Sequence, residues 1–208
     1  MKASTKAVLN IAARTGLLSL GLVLGGCGQF SYLASYERDI SSSTRAIETA
    51  PDDAQRAAAF SKRGIAYSEK ARYSRAFKLI SPDEYARLFG LAIKDHDQAI
   101  ALDPASAEAY YRRGETYYDP ADLETVVDGT LVVSDAARKA WFAPAAADFR
   151  QAVEKDGRHD MAWDRLGLIH EMTGELDQAI SDYTQVLALD PKLGRARLAD
   201  AYCDRGGL

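Results

Sequence analysis

The feature that most constrains the fold is a short ending that recurs four times along the chain. The four copies share an apolar helix end and a closing proline or glycine: RAIETAP at 45–51, QAIALDP at 98–104, QAVEKDG at 151–157 and QVLALDP at 185–191. The first three precede segments with a matching glycine: FSKRGIAY at 60–67, YYRRGETY at 110–117 and WDRLGLIH at 163–170. Aspartate before proline is pushed out of helical geometry, so each ending predicts the exit of a helix. Strong strand patterning is nearly absent, and helices are expected to dominate.

The last unit carries the most complete motif. Its first helix is marked by Trp163, Leu166, Gly167 and His170, its turn by Gly174, and its second helix by Ala179, Tyr183, Val186 and Asp190-Pro191. These residues resemble the tetratricopeptide repeat, with W-x2-L-G-x2-Y, A-x3-F and a final proline. His170 stands in place of the tyrosine and Val186 in place of an alanine. The resemblance implies an all-α, right-handed helix-turn-helix solenoid of about three repeats with flanking helices.

The repeats are longer than the family's 34 residues. Gly64, Gly114 and Gly167 are spaced by 50 and 53 residues, so the extra length lies between the two helices of the first and second repeats. The expected repeats are about 57–104, 107–157 and 160–191, with insertions near 70–90 and 119–143. Residues 36–50 predict an unpaired helix before the first repeat, and residues 194–205 a closing helix.

The two insertions have different patterns. Ser81-Pro82-Asp83-Glu84 is typical of a helix start, so the first insertion is expected to lengthen a helix from 82 to about 102. The second contains ETVVDGTLVV at 124–133, where Asp128-Gly129 between β-branched runs indicates a hairpin. A plain ordered loop is an equal alternative, because an isolated hairpin is marginally stable. Ser134-Asp135 predicts a new helix start, and Pro144 a kink or break within that helix.

The family resemblance also assigns residues to repeat packing: Gly64, Gly114, Gly167, Ala179, Pro104 and Pro191. A glycine in a helix interior costs about 1 kcal/mol relative to alanine. That cost is acceptable where the glycine lets a second helix come close, so Gly167 is expected to face Ala179.

The N-terminus has the pattern of a secretory signal. Lys2, Lys6 and Arg14 precede the apolar stretch GLLSLGLVLGG at 16–26, and small residues lead to Cys27. The alternative is a membrane-spanning helix, but that requires about 20 apolar residues, and Asn10 and Arg14 interrupt such a window.

The residues Leu24-Gly25-Gly26-Cys27 resemble the lipobox of bacterial lipoproteins, in which the cysteine becomes the lipidated first mature residue. The resemblance implies a signal peptide at 1–26. Residues 28–35 are weakly patterned, so 27–35 are expected to form a tether ahead of the repeat domain at 36–208. Gly28, rather than aspartate, follows the cysteine. The resemblance to lipoproteins therefore favours the periplasmic side of the outer membrane over the cell membrane. Several acyl chains anchor a protein stably, whereas a single chain binds reversibly.

Charge and cysteine content argue against a nucleic-acid-binding protein and against a disulfide-stabilised fold. Loss of residues 1–26 removes three basic residues and no acidic ones, which moves the formal net charge from −4 to −7. An acidic chain is a poor nucleic-acid ligand, since such binding depends on clustered Lys and Arg. With Cys27 assigned to lipid, Cys203 has no intrachain partner, and a disulfide framework is excluded.

Catalytic motifs are absent from the sequence. His96, His159 and His170 lack metal-type spacing, and two of them occupy aromatic packing positions of the repeat. An acidic run does not match a calcium-binding loop and is interpreted as solvated; it comprises Asp119, Asp122, Glu124 and Asp128. No nucleophile elbow or phosphate loop is present. The chain is therefore predicted not to be an enzyme and to need no cofactor or metal. The alternative is a lipoprotein enzyme or ligand-binding protein whose site lies in the 119–143 insertion.

A binding groove is the remaining candidate site. By the family resemblance, residues beside the packing positions of each first helix line it: Tyr111, Glu115, Tyr118, Asp164, Leu168 and Glu171. Co-chaperone members of the family clamp a peptide carboxylate with Lys, Asn and Arg, which these positions lack. A groove of Tyr, Glu and Asp suits a basic or amphipathic segment. Filling of the groove by the chain's own insertions is the alternative. The expected function is a lipid-anchored envelope adaptor that binds other envelope proteins, without nucleic acid, and homo-oligomers are left open.

Overall fold

The computed structural model describes residues 27–118, 126–127, 130–131 and 135–206. Within those ranges the chain forms eight helices and one short hairpin: α1 Cys27–Thr49, α2 Asp53–Ala76, α3 Pro82–Leu102, α4 Ala107–Tyr117, β1 Val126–Val127, β2 Thr130–Leu131, α5 Asp135–Lys155, α6 Asp160–Met172, α7 Leu176–Leu189 and α8 Pro191–Gly206. The predicted signal segment 1–26 and the acidic residues Asp119, Asp122, Glu124 and Asp128 lie outside the described residues.

The helices pack as successive antiparallel pairs. The three repeats are the pairs α2–α3, α4–α5 and α6–α7, and α1 and α8 cover the two ends of the array. Side-chain caps mark several helix starts: the hydroxyls of Ser81 and Ser106 accept the N–H groups of Glu84 and Ala109, each at 3.2 Å. The Ser81 cap and Pro82 begin α3 where the sequence predicts it, because a serine cap followed by proline is pre-organised for a first helical turn.

The predicted tether at 27–35 is helical in the structure. Helix α1 begins at Cys27 and continues without a break into the predicted flanking helix. Two of its tyrosines, Tyr32 and Tyr36, lie one turn apart and both approach Tyr73 of α2, with ring centroids at 5.6 and 6.1 Å. This packing against α2 extends the helix, which the weak pattern of residues 28–35 does not indicate.

The first insertion lengthens both helices of its repeat. Helix α2 continues through Ala76, and only residues 77–81 separate it from α3. Lys78 has φ 54°, in the left-handed region. The N–H of Lys78 donates to the carbonyl of Arg75 at 2.9 Å, and that of Leu79 to Ser74 at 2.8 Å. These two bonds form a Schellman turn, with lysine at the position usually occupied by glycine.

The second insertion contains the hairpin that the sequence left open against a loop. Val126 pairs with Leu131 and Val127 with Thr130 in an antiparallel register. The strands are two residues long and flank Asp128-Gly129, the pair that indicates such a turn. Helix α5 follows and includes Pro144 without a break, so of the two outcomes predicted at this proline, a kink or a break, the break is wrong.

The packing glycines each face a ring from the second helix of the same repeat. A Cβ atom at Gly64 would lie 2.7 Å from the His96 ring, and one at Gly114 would lie 2.7 Å from Phe149. Gly167 faces the ring of Tyr183 in the same way. The expectation that Gly167 faces Ala179 is therefore wrong. Ala179 is fully buried one turn before Tyr183, and the longer ring fills the space opposite the glycine.

Two of these contacts are reinforced by neighbouring ion pairs. Arg63 binds Asp95 through Nε and Nη2 at 2.7 and 2.8 Å. Arg113 binds Asp148 in the same bidentate way at 2.8 and 2.6 Å. The Asp148 carboxylate holds the pKa of the Arg113 guanidinium above its ordinary value. Each arginine precedes a packing glycine and each aspartate precedes the ring, so the two pairs fix the same register between helices.

The two prolines at the repeat ends are both exposed. Pro104 lies in the turn after α3, behind Asp103, whose ψ of 82° is no longer helical. Pro191 begins α8, and the Asp190 carboxylate before it accepts the N–H of Leu193 at 3.1 Å. None of the helices in the described ranges is long and apolar enough to span a bilayer.

Candidate protein-binding face

The candidate site is the face on which the first helices of the repeats meet, called here the α4–α6 face. It contains the predicted groove residues of α4 and α6 together with their neighbours on α2 and α8. Side-chain contacts join these helices directly, because hydrogen bonds run from α2 to α4, from α4 to α6 and from α6 to α8.

Tyr111 lies inside this face rather than on it. Only 3% of Tyr111 is exposed. Its ring packs against Phe149 and His159, with centroids at 5.7 and 4.7 Å, and burial raises the pKa of its hydroxyl to about 12. The adjacent Tyr110 is only partly buried. The expectation that Tyr111 faces an open groove is therefore wrong, because Phe149 of α5 and the start of α6 cover its ring, and Tyr110 packs against the same core while partly exposed.

Tyr118 is half-buried at the end of α4. Its ring stacks on Phe142 of α5 with centroids at 5.4 Å, and the Arg165 guanidinium lies 5.6 Å from its centroid. Its hydroxyl contacts the Met172 sulfur at 3.5 Å. Tyr118 is therefore held in place by these contacts and stays partly exposed.

The two carboxylates closest to the centre of the face are paired with arginines. Arg165 Nε donates to Glu115 at 2.6 Å. Arg197 Nε donates to Asp164 at 2.7 Å, and Asp164 is 5% exposed. The Asp164 carboxylate holds the pKa of Arg197 above its ordinary value. Neither arginine is among the residues predicted from the sequence, because the family resemblance points only to the positions that the family uses for its clamp.

A third arginine extends this network to the first repeat. Arg72 of α2 donates to the backbone carbonyl of Glu115. Positive and negative groups therefore alternate across α2, α4, α6 and α8. The sequence does show that these charges lie close to the repeat motif: Asp164 and Arg165 are adjacent, and Arg165 directly precedes the motif residue Leu166. Their partners lie on other helices and could not be read from the sequence.

The remaining predicted residues lie toward the edge of the face. Leu168 and Glu171 are half-buried, and Glu171 accepts a hydrogen bond from the Tyr183 hydroxyl at 2.6 Å. Met161, also on α6, is 48% exposed and contacts the Tyr111 hydroxyl through its sulfur at 3.8 Å. Apolar contact on this face therefore comes from Met161 and Leu168, with Glu171 beside them.

The three histidines take part in packing, side-chain pairing and helix capping. His96 is fully buried against Gly64, and His170 Nδ1 lies 2.6 Å from an Asp182 oxygen. His159 accepts the N–H of Ala162 at 3.2 Å as the cap of α6. In the described ranges no three His, Cys, Asp or Glu side chains are grouped as a metal site would require.

The α4–α6 face is suited to binding a polypeptide chain by apolar contact and hydrogen bonding.

Comparisons with known proteins agree with this architecture. A family model described as TPR repeat matches residues 89–119, and one described as Tetratricopeptide repeat matches residues 161–193. The second match is the repeat α6–α7, and the first joins the end of α3 to α4. No match was found among curated proteins.

Two solved structures share the overall fold. One is the crystal structure of MamA, at 17% identity and a TM-score of 0.51, covering 88% of this chain and 86% of that one. The other is a thermophilic TPR protein of Thermus thermophilus, at 22% identity and a TM-score of 0.51, covering 86% of this chain and 78% of that one. Proteins built from these repeats are generally scaffolds for protein–protein interaction rather than enzymes. The chain therefore carries tetratricopeptide repeats and has the all-α fold of a tetratricopeptide solenoid, as its sequence predicts.

Proposed function

We propose that this protein is a lipid-anchored scaffold of the bacterial envelope, which is attached through Cys27 and holds a protein partner on the α4–α6 face. The observation that carries the proposal is a lipobox-like sequence ending at Cys27 that is followed directly in the chain by a helical repeat domain. An anchor at this place leaves the whole array outside the membrane and free to bind. The periplasmic side of the outer membrane is the proposed location, with the cell membrane second.

The partner chemistry follows from the side chains that remain available. Met161 and Leu168 offer apolar contact, and Glu171 and Tyr118 are partly exposed. A strongly basic partner would compete with Arg165 and Arg197 for Glu115 and Asp164, which are already paired. An amphipathic segment, with its apolar side on Met161 and Leu168, is therefore proposed over a purely basic one.

Two experiments test the two parts of this proposal. For the anchor, the full chain is expressed in a bacterial host and its membranes are separated by density. The protein should sediment with the outer membrane, and Cys27→Ser should be found soluble or unprocessed. Recovery of the unmodified chain in the cytoplasm would refute the anchor.

For the partner, a photo-crosslinking residue is placed at Met161, and a matched control at Tyr202 of α8. The two native side chains are 48% and 49% exposed, so differences in access are small. A discrete crosslinked protein at Met161, absent at Tyr202 and lost when Leu168→Asp is added, would support binding on this face. The same products at both positions would show that the α4–α6 face is not the binding surface.

A further inference from the structure

One end of the molecule exposes several large apolar side chains. Among the described residues, five large apolar or aromatic side chains are exposed, and three of them lie together at the end where α1 starts and α2 finishes. Tyr32 is 58% exposed, Phe77 46% and Leu79 48%. Tyr73 joins them, with ring centroids 5.6 Å from Tyr32 and 4.7 Å from Phe77. These four residues are called the aromatic end.

The aromatic end lies at the level of Cys27. The contacts Arg63–Thr44 and Lys70–Glu37 show that α1 and α2 run antiparallel with one register, since each helix advances seven residues between them. Ten residues before Glu37 is Cys27, whereas α2 ends at Ala76, six residues after Lys70, so Cys27 lies roughly 6 Å beyond the helical end of α2. At 1.5 Å per residue, Cys27 and Tyr32 are separated by only about 7.5 Å along α1.

The same end carries basic groups and a cleft. Lys78, between Phe77 and Leu79, is exposed and held in a left-handed conformation by the Schellman turn. The cleft beside it has both basic and apolar walls, made by Arg75, Lys78, Ile80, Ser81, Pro82 and Tyr85. Aromatic rings with lysine beside them are the side chains that occur at the headgroup level of membranes.

We propose that the aromatic end contacts the lipid surface to which Cys27 is attached, and so orients the repeat array relative to the membrane. The inference rests on the proposed lipid anchor. With acyl chains at Cys27, Phe77 and Leu79 enter the headgroup region and Lys78 pairs with lipid phosphate. Exposed apolar patches mark interaction sites, and the lipid is the occupant that the anchor necessarily brings to this end. The α4–α6 face, formed by later repeats, is then held away from the membrane for its partner.

The test uses the full chain, processed and purified in its lipidated form and incorporated into phosphatidylethanolamine–phosphatidylglycerol vesicles. A Cys203→Ser background removes the exposed thiol. A bimane probe is attached at Leu79→Cys, and a matched control at Met161→Cys, since both native side chains are 48% exposed. Lipids with a nitroxide near the headgroup should quench the Leu79 probe strongly and the Met161 probe little. Adding Phe77→Ser should reduce quenching at Leu79 while the protein still floats with the vesicles.

The outcomes separate this proposal from the anchor itself. Flotation with equal quenching at both positions would overturn contact by the aromatic end and leave the anchor intact, as would quenching that Phe77→Ser does not change. A bimane probe at position 79 that is blue-shifted but not quenched would show that protein covers the aromatic end. That result would also overturn the proposed lipid contact. A purified chain that carries no lipid and does not float would refute the anchor. The full chain without lipid would then be floated with the same vesicles, and an absence of binding would overturn the lipid contact as well.

Discussion

The imidazole of His96 lies directly against Gly64, and within the described part of the chain neither of its ring nitrogens has a hydrogen-bond partner. Phe149 occupies the equivalent place against Gly114, and Tyr183 against Gly167. A titratable ring therefore stands where the other repeats use a phenyl or phenol ring, and it is kept from water. Burial, together with the charges of Arg112, Arg113 and Arg72, lowers the pKa of His96 to about 4, against an opposing effect of Asp97.

This burial predicts a pH-dependent stability. Because the folded pKa lies below the unfolded value of about 6.5, the unfolded state binds more protons between the two values. The stability that comes from keeping His96 neutral in the folded state is fully present above pH 6.5 and is lost as the pH falls toward 4. At pH 4.5 the loss should be about 2–3 kcal/mol in the free energy of unfolding. His96→Phe, which copies Phe149, should remove it, as measured by urea denaturation at pH 7.5 and 4.5. Identical pH dependence of the two proteins would contradict this.

The contact of Gly167 with Tyr183 predicts a strict limit on side-chain size. The Tyr183 ring is fully buried and its hydroxyl is bound to Glu171, so it has little freedom to move away. Gly167→Leu should lower the free energy of unfolding by about 1–3 kcal/mol through overpacking. Gly90 of α3 is a matched control, since a Cβ there meets no atom within 4 Å. Gly90→Ala should instead stabilise by up to about 1 kcal/mol. An unchanged melting temperature for Gly167→Leu would disprove the contact.

The Schellman turn at Lys78 predicts that a glycine is better there. A left-handed conformation costs an ordinary residue about 1–2 kcal/mol. Glycine avoids that cost, but part of the gain is offset by the greater conformational entropy of glycine in the unfolded chain. Lys78→Gly should therefore raise the free energy of unfolding by about 0.5–1 kcal/mol. The turn after α6 already has Gly174 at the same position, with φ 77°. Gly174→Lys should have the opposite effect. Thermal melts of both variants check the pair, and destabilisation by both would show that Lys78 makes a compensating contact.

The burial of Tyr111 predicts that its truncation damages folding before binding. Tyr111→Ala removes a ring packed on Phe149 and His159, and should cost about 3 kcal/mol or more. Tyr110→Ala, at a partly buried ring, should cost clearly less. Chemical denaturation of the two variants compares them directly, and a larger loss for Tyr110→Ala would mean that α6 does not cover Tyr111. Binding by the α4–α6 face is better tested at Leu168, where a substitution changes less of the core.

Most helix positions could be predicted from the sequence because local chemistry specifies them. Ser81 and Pro82 mark a helix start, Asp103 and Asp190 before proline mark exits, and these signals act within a few residues. The structure begins α3 at Pro82 and ends it at Leu102, as expected. The recurrence of the endings then specifies a stack of pairs, since each helix has one apolar side that only a neighbour can bury.

The tertiary structure alone decided which side chain faces which. Adjacent residues such as Tyr110 and Tyr111 point only about 100° apart around a helix, so sequence places both near the same edge. Phe149 of α5 and the start of α6 bury Tyr111. The length of the Tyr183 ring, rather than the spacing of Ala179, selects the partner of Gly167. The pairing of Glu115 with Arg165 joins residues 50 positions apart. Such contacts depend on how two helices are placed in space, which no local pattern encodes.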